Sequence, residues 1–256
     1  MELEILDLGR IRCKKLELVA TDNESEFIYS PMIAVLIRHP KLGNVLYDTG
    51  NSPFYNTEYS AEELETYPID AFVSIEEALA QKGLSPTDID VLVLSHLHFD
   101  HVGGLRYFRG TKAIKNVLVA DADLREAYAR TMSGNGGAYI KTLFDVDGVQ
   151  YHPVEDELEL ASDLKLFVQR SHTPGCMGMI VETQSKGTVI FTSDTIYTRE
   201  SYEKALAPGG GINKTSDEFF SNLDRIKRME ADLQATLFFG HDYEQAQQWR
   251  EEGVIC

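Results

Sequence analysis

Short apolar runs bounded by turn residues dominate this chain. Val, Ile, Leu and Phe recur in stretches of the length that buried strands take. The pattern predicts strands over 2–7, 14–20, 31–38, 43–47, 90–95, 116–120, 165–170, 178–183, 188–193 and 235–239. Helical patterns are fewer. Ser74-Ile75-Glu76-Glu77 reads as a capping box, in which the Ser side chain and the Glu carboxylate satisfy free amide donors reciprocally. The helix it opens carries Ile75, Ala78 and Leu79 and stops at Gly83. Asp121 or Asp123 opens a second helix through Tyr128. Thr215-Ser216-Asp217-Glu218 reads as another capping box, ahead of a stripe of Phe219, Leu223, Ile226 and Leu233. Strands outnumber helices and are interrupted irregularly, which predicts sheets covered by helices rather than strict alternation. Residues 51–70 read as one irregular, aromatic and acidic loop, and Pro208–Ile212 as a glycine-rich turn. No linker divides the chain, so 1–256 is read as a single domain, long enough to bury a sizeable core.

Charge narrows the functional classes. The chain carries 24 Lys+Arg against 41 Asp+Glu, a formal net charge of −17, and none of the basic clusters that nucleic acid or an anionic membrane surface demands. Cys13, Cys176 and Cys256 lie too far apart in sequence for a disulfide framework, which points to a reducing compartment. The alternating start Met1–Gly9 lacks the basic and apolar regions of a signal peptide, and no apolar run is long enough to span a bilayer. The expectation is a soluble, acidic, cytoplasmic protein.

The chemistry concentrates at one place. An apolar run, Val91–Leu94, leads into Ser95-His96-Leu97-His98-Phe99-Asp100-His101-Val102-Gly103-Gly104. In a near-extended segment residues two apart point the same way, so His96 and His98 face one side. Asp100 and His101 follow where the glycine pair lets the chain turn. Three further apolar runs end in a possible metal ligand: 166–171 in His172, 188–193 in Asp194 and 235–240 in His241. Strand carboxyl ends are where α/β proteins place their sites. Any one of these residues alone is most simply a turn histidine or a capping aspartate. The chain has seven His, however, and five of them stand at these positions, the density that a metal site requires. Five neutral imidazoles and two carboxylates around two divalent ions and a shared hydroxide leave a net charge of about +1, still able to polarise a carbonyl. Imidazole with carboxylate suits Zn2+ first, with Mn, Fe or Co as alternatives.

The motif His96-x-His98-x-Asp100-His101, with His172, Asp194 and His241 downstream, resembles the metallo-β-lactamase superfamily. The likeness spans essentially the whole chain, including Leu46-Tyr47-Asp48-Thr49-Gly50. It implies an α/β fold, an αβ/βα four-layer sandwich of two mixed sheets with outer helices. It also implies that His96, His98 and His172 hold one metal, that Asp100, His101 and His241 hold the other, and that Asp194 bridges them. Ser95–Gly104, Asp194-x-x-Tyr197-Thr198-Arg199-Glu200 and Phe238–Gln245 are similar to the N-acyl-homoserine lactonases that degrade quorum-sensing signals. That branch implies a small-molecule lactone or ester as substrate, opened by a hydroxide shared between the metals. Tyr197 would donate to the oxyanion and Asp100 would carry a proton. A thioesterase or other ester or phosphoester hydrolase of the same superfamily is the alternative, and a di-iron redox protein is disfavoured by His98. The state of assembly, monomer or dimer, stays open.

The remaining features read more plainly. Glu58, Glu62, Glu63 and Glu65 stud the 51–70 loop, which the resemblance places at the acyl-binding wall, so a long alkyl chain is not expected there. Tyr107, Phe108, Met132 and Tyr139 are core residues first and pocket candidates second. Cys176 is expected to be buried near the site, and His39 and His152, each before a proline, to be solvated turn residues. Asp48 and Asp242 are expected to order the ligand loops through hydrogen bonds.

Overall fold

In the computed structural model, which describes residues 1–208 and 216–256, Val91 and Val93 face one way and Leu92 and Leu94 the other, and all four are buried. A strand apolar on both faces must be covered on both faces, and the rest of the architecture meets that demand. Among the described residues the first sheet holds β1 (Glu2–Lys14), β2 (Phe27–His39), β3 (Gly43–Tyr47), β4 (Ile69–Phe72), β5 (Val91–Val93), β6 (Val117–Ala120) and β7 (Tyr151–Val154). Their order across the sheet is β4-β1-β2-β3-β5-β6-β7, antiparallel from β4 to β3 and parallel from β3 to β7. The second sheet holds β8 (Glu157–Ala161), β9 (Leu164–Gln169), β10 (Cys176–Thr183), β11 (Gly187–Phe191) and β12 (Thr236–Phe238), ordered β12-β11-β10-β9-β8, with only β11 and β12 parallel.

Alternation sends each side chain to one of three cores. Leu3, Ile5, Val35, Val45, Val91 and Val93 meet Leu166, Val168, Met179, Val189 and Phe191 between the sheets. Leu6, Leu36, Leu46, Leu92 and Val119 point outward under helices that include α3 (Ile75–Ala80), α4 (Phe99–Val102) and α5 (Asp121–Met132). On the far side, Phe167, Ile190 and Leu237 lie under Phe219, Leu223 and Ile226 of a long helix, Ser216–Leu233. The layers are therefore helix, sheet, sheet, helix, the four-layer mixed-sheet sandwich expected. No helix among the described residues is long and apolar enough to cross a membrane.

Several expectations need correction. Residues 14–20 are not a strand: β1 runs on through Lys14, the chain turns at Lys15–Glu17, and Leu18 and Val19 are buried as loop residues. The 51–70 segment is not one irregular loop but two short helices, α1 (Tyr55–Glu58) and α2 (Ala61–Thr66), followed by β4. The second helix has its own capping box, Ser60 with Glu63. β4, β7 and β8 carry no clear strand pattern in the sequence because each is an edge strand, half-covered and rich in polar positions. The Ser74 box forms as expected. The Thr215 box and the 208–212 turn fall mostly outside the described residues, although Phe219, Leu223 and Ile226 form the buried stripe. Leu233 does not join that stripe and is exposed. Met132 is exposed as well, whereas Phe108 is core. His39 is buried at the end of β2, its Nε2 2.9 Å from Asp163 and its Nδ1 accepting from the amides of Lys41 and Leu42. His152 is exposed, but in β7 rather than a turn.

Candidate metal centre

β5 ends at Val93, the chain bends at Ser95, and His98 is extended again just before α4 begins. His98 occupies the N-cap position, so Asp100 and His101 fall within the single turn that follows. That turn must press against the 48–52 segment, and the glycine pair permits it. A Cβ on Gly103 would stand 2.2 Å from the Ser52 amide nitrogen, and one on Gly104 2.3 Å from the Thr49 carbonyl oxygen. His172 follows β9, Asp194 lies in a short turn after β11, and His241 follows β12. Four carboxyl strand ends from both sheets thus converge on one edge of the sandwich.

The structure brings together all seven residues expected from the sequence. His172 Nε2 stands 3.0 Å from both His96 Nε2 and His98 Nδ1, three ring nitrogens aimed at one point. Asp100, His101 and His241 form a second convergent set. Asp194 stands between them: Oδ2 is 2.9 Å from His241 Nε2 and 3.6 Å from His172 Nε2, and Oδ1 is 3.3 Å from His101 Nε2. His98 and Asp100 are half-buried and the other five are buried. A cavity of about 20 Å³ abuts Asp100, His101, Asp194 and His241.

Electrostatics sort the seven by charge state. Burial drives the His96 and His98 imidazoles well below the ordinary histidine range and His172 down to about 4, so all three are neutral with free lone pairs. Burial also disfavours charge on His101, but Asp194, Asp100 and Asp48 outweigh it and push its pKa well up. The Asp100 carboxyl is raised by burial. Burial opposes ionisation of Asp194, yet His241 and His101 hold it well below the usual carboxylate range. A buried set with this much carboxylate calls for a cation. His101 Nε2 and Asp194 Oδ1 face each other at 3.3 Å without forming a hydrogen bond, and neither has another partner. Convergent nitrogens, unpartnered atoms and an imidazole–carboxylate donor set fit two divalent ions.

Hydrogen bonds behind the rings fix their orientation. Asp48 Oδ2 lies 2.9 Å from His101 Nδ1, and its carboxylate also accepts from the Ser95 amide and hydroxyl. Ser30 Oγ lies 2.7 Å from His241 Nδ1, and Tyr197 Oη lies 2.9 Å from His172 Nδ1. Asp48 thus does what was expected of it. Asp242 does not touch the His241 ring: it caps the helix Tyr243–Glu252 and accepts from the Arg199 amide. Cys176 is buried, its thiol donating to Ser193 Oγ at 3.3 Å. Sequence reasoning missed Ser30, which carries no local motif and lies 211 positions from its partner. In the sequence Asp123 shows only as a helix opener. It is buried, its carboxyl pushed up to about 6 by burial despite donors from Tyr139, Thr173 and Leu97. Tyr139 is buried with its ring edge-on to His98, centroids 4.6 Å apart.

A groove of about 1020 Å³ opens on His98 and His172. Tyr67, Phe99 and Tyr139 give it apolar walls, and Glu62 and Glu63 reach it from the 51–70 segment. Glu58 does not; it pairs with Arg106 at 2.6 Å.

Comparison with known proteins agrees with this geometry. A family model described as the metallo-β-lactamase superfamily matches residues 34–241. The chain is 30% identical over 167 residues to an N-acyl homoserine lactonase of Bacillus cereus, a match covering 65% of this chain and 61% of that relative. It is 27% identical to an N-acyl homoserine lactonase of a Bacillus species over 95% of this chain and 94% of the relative. A solved N-acyl homoserine lactone hydrolase, with the product N-hexanoyl-L-homoserine at its catalytic metal centre, superposes with a TM-score of 0.83. That match has 24% identity and covers 96% of this chain and 95% of the other.

Proposed function

This chain belongs to the metallo-β-lactamase superfamily, and from that premise we propose that it is a dinuclear metal-dependent hydrolase that opens the lactone ring of N-acyl-homoserine lactones. The observation that carries the proposal is the pair of convergent ligand sets sharing Asp194, in a chain whose full-length relatives are lactonases. His96, His98 and His172 would hold one ion and Asp100, His101 and His241 the other, with Asp194 placed within reach of both sets and zinc the ion that suits the donors best. When bound, such ions polarise the carbonyl and make water nucleophilic near neutral pH.

The chain's own groups do the rest. His172 presents Nε2 to the cluster, so its Nδ1 carries the ring hydrogen and donates to the Tyr197 oxygen. The phenolic hydrogen of Tyr197 is then free to donate to the carbonyl oxygen as it gains charge. Burial keeps that phenol protonated. The Tyr197 ring stands between His172 and His241, centroids 5.6 and 5.2 Å away, and so addresses both ligand sets. Asp100, on the half-buried lip, carries a proton to the ring oxygen as it leaves. The groove beside His98 receives the acyl chain, and Glu62 and Glu63 there favour short or polar chains. The whole of 1–256 acts as one domain, and its three unpaired cysteines suit the cytoplasm.

The test is turnover of homoserine lactones, simple lactones, thioesters and phosphodiesters by protein of defined metal content. Lactone opening is expected. Thioester or phosphodiester turnover without lactone opening moves the assignment to another hydrolase of the superfamily.

A further inference from the structure

Three separate segments supply or flank the set formed by His96, His98 and His172, and one buried aspartate meets all three. Asp123, near the start of α5, is fully buried. Its Oδ2 accepts from the amide of Leu97, the residue between His96 and His98, at 2.8 Å. Its Oδ1 accepts from the Tyr139 hydroxyl at 2.6 Å, and the Tyr139 ring lies edge-on to His98. The loop that carries His172 packs on the same residue at Gly175. The backbone closes in as well. A Cβ on Gly175 would stand 2.7 Å from the Asp123 amide nitrogen, so only glycine lets the His172 loop pack this closely on α5. The Phe99 amide donates to the Ala138 carbonyl at 3.0 Å, pairing the His98 and Tyr139 segments directly.

We propose that Asp123 is a positioning residue that clasps the His96–His98 loop, the His172 loop and Tyr139 into one unit, holding the first ligand set in its binding geometry before any ion arrives. The proposal rests on the metal reading above and goes beyond it, because Asp123 belongs to neither ligand set. Ligands already in place lose less conformational freedom on binding, so the clasp raises affinity at this set and leaves the Asp100–His101–His241 set alone.

Stepwise zinc affinity, measured by competition with a chromophoric chelator, tests it in four proteins: wild type, Asp123→Ala, Tyr139→Phe and Val119→Ala. Val119 is a buried residue of the neighbouring β6 and controls for general loosening. Asp123→Ala is expected to weaken one of the two zinc equivalents roughly ten- to hundredfold and leave the other unchanged. Tyr139→Phe should weaken the same equivalent by a smaller factor, and decides the matter alone if Asp123→Ala does not fold. Val119→Ala should move neither, although its melting temperature falls. Wild-type affinity at both sites in Asp123→Ala and Tyr139→Phe overturns the clasp, as does an equal loss in Val119→Ala. A wild type that binds no zinc overturns the metal reading beneath it, a result distinguishable from both.

Discussion

Asp48 Oδ2 meets His101 Nδ1 at 2.9 Å across 53 positions of sequence, from a backbone held in the left-handed region at φ 63°. A non-glycine residue keeps that conformation only when its surroundings demand it. Here Asp48 takes the Ser95 amide and hydroxyl with one carboxylate while facing the His101 ring, so one side chain fixes both the strand exit and the imidazole.

Replacing Asp48 by Asn therefore weakens the orientation of His101 without opening a hole. The second ligand set should lose roughly ten- to hundredfold in metal affinity, read by chelator competition. Unchanged affinity at both sites would remove Asp48 from the account.

Tyr197→Phe deletes the proposed donor to the oxyanion and keeps the ring. Turnover should fall by about a hundredfold or more when both proteins are loaded to the same metal content, checked by elemental analysis. Equal turnover in the two proteins would exclude the phenol from the chemistry.

Gly103 is a packing requirement as much as a turn. Ala at this position places a methyl 2.2 Å from the Ser52 amide, with backbone rather than a flexible side chain in the way. The cost should be roughly 1–3 kcal/mol or more, seen as a lower denaturant midpoint. A melt superimposable on wild type would show that the turn relaxes freely.

Away from the site, Glu4 gives a dependence on pH. Burial works against its charge, but hydrogen bonds from Lys82 and Arg38 outweigh that and lower its pKa below the ordinary glutamate value. The folded value lies below the unfolded one, so the stabilisation is complete above the ordinary glutamate range and is lost as pH falls through the folded value. Lys82 and Arg38 are about one-third exposed, which discounts the gain to roughly 1–2 kcal/mol. Glu4→Gln should lower stability by that amount at pH 7 and by progressively less as pH falls below the ordinary glutamate range, measured by urea titration across that span. A gap independent of pH would assign the effect to packing.

Much of the fold and most of the centre are legible in the residues themselves. Doubly buried strands such as Val91–Val93 announce themselves by composition, and ligands at the ends of such strands announce a site. Edge strands do not, because Ile69–Phe72 and Glu157–Ala161 have one free flank and tolerate polar residues. The partners behind the imidazoles are hidden for another reason. Ser30 and Asp123 act through contacts that only the folded chain creates, and neither has a spacing that marks it.

The most direct measurement is elemental analysis of protein purified from metal-replete medium, paired with the same analysis of Asp194→Ala. Two transition ions per wild-type chain, falling below two when the shared carboxylate is removed, is the predicted result. A wild-type chain free of bound ions would contradict the account at its root.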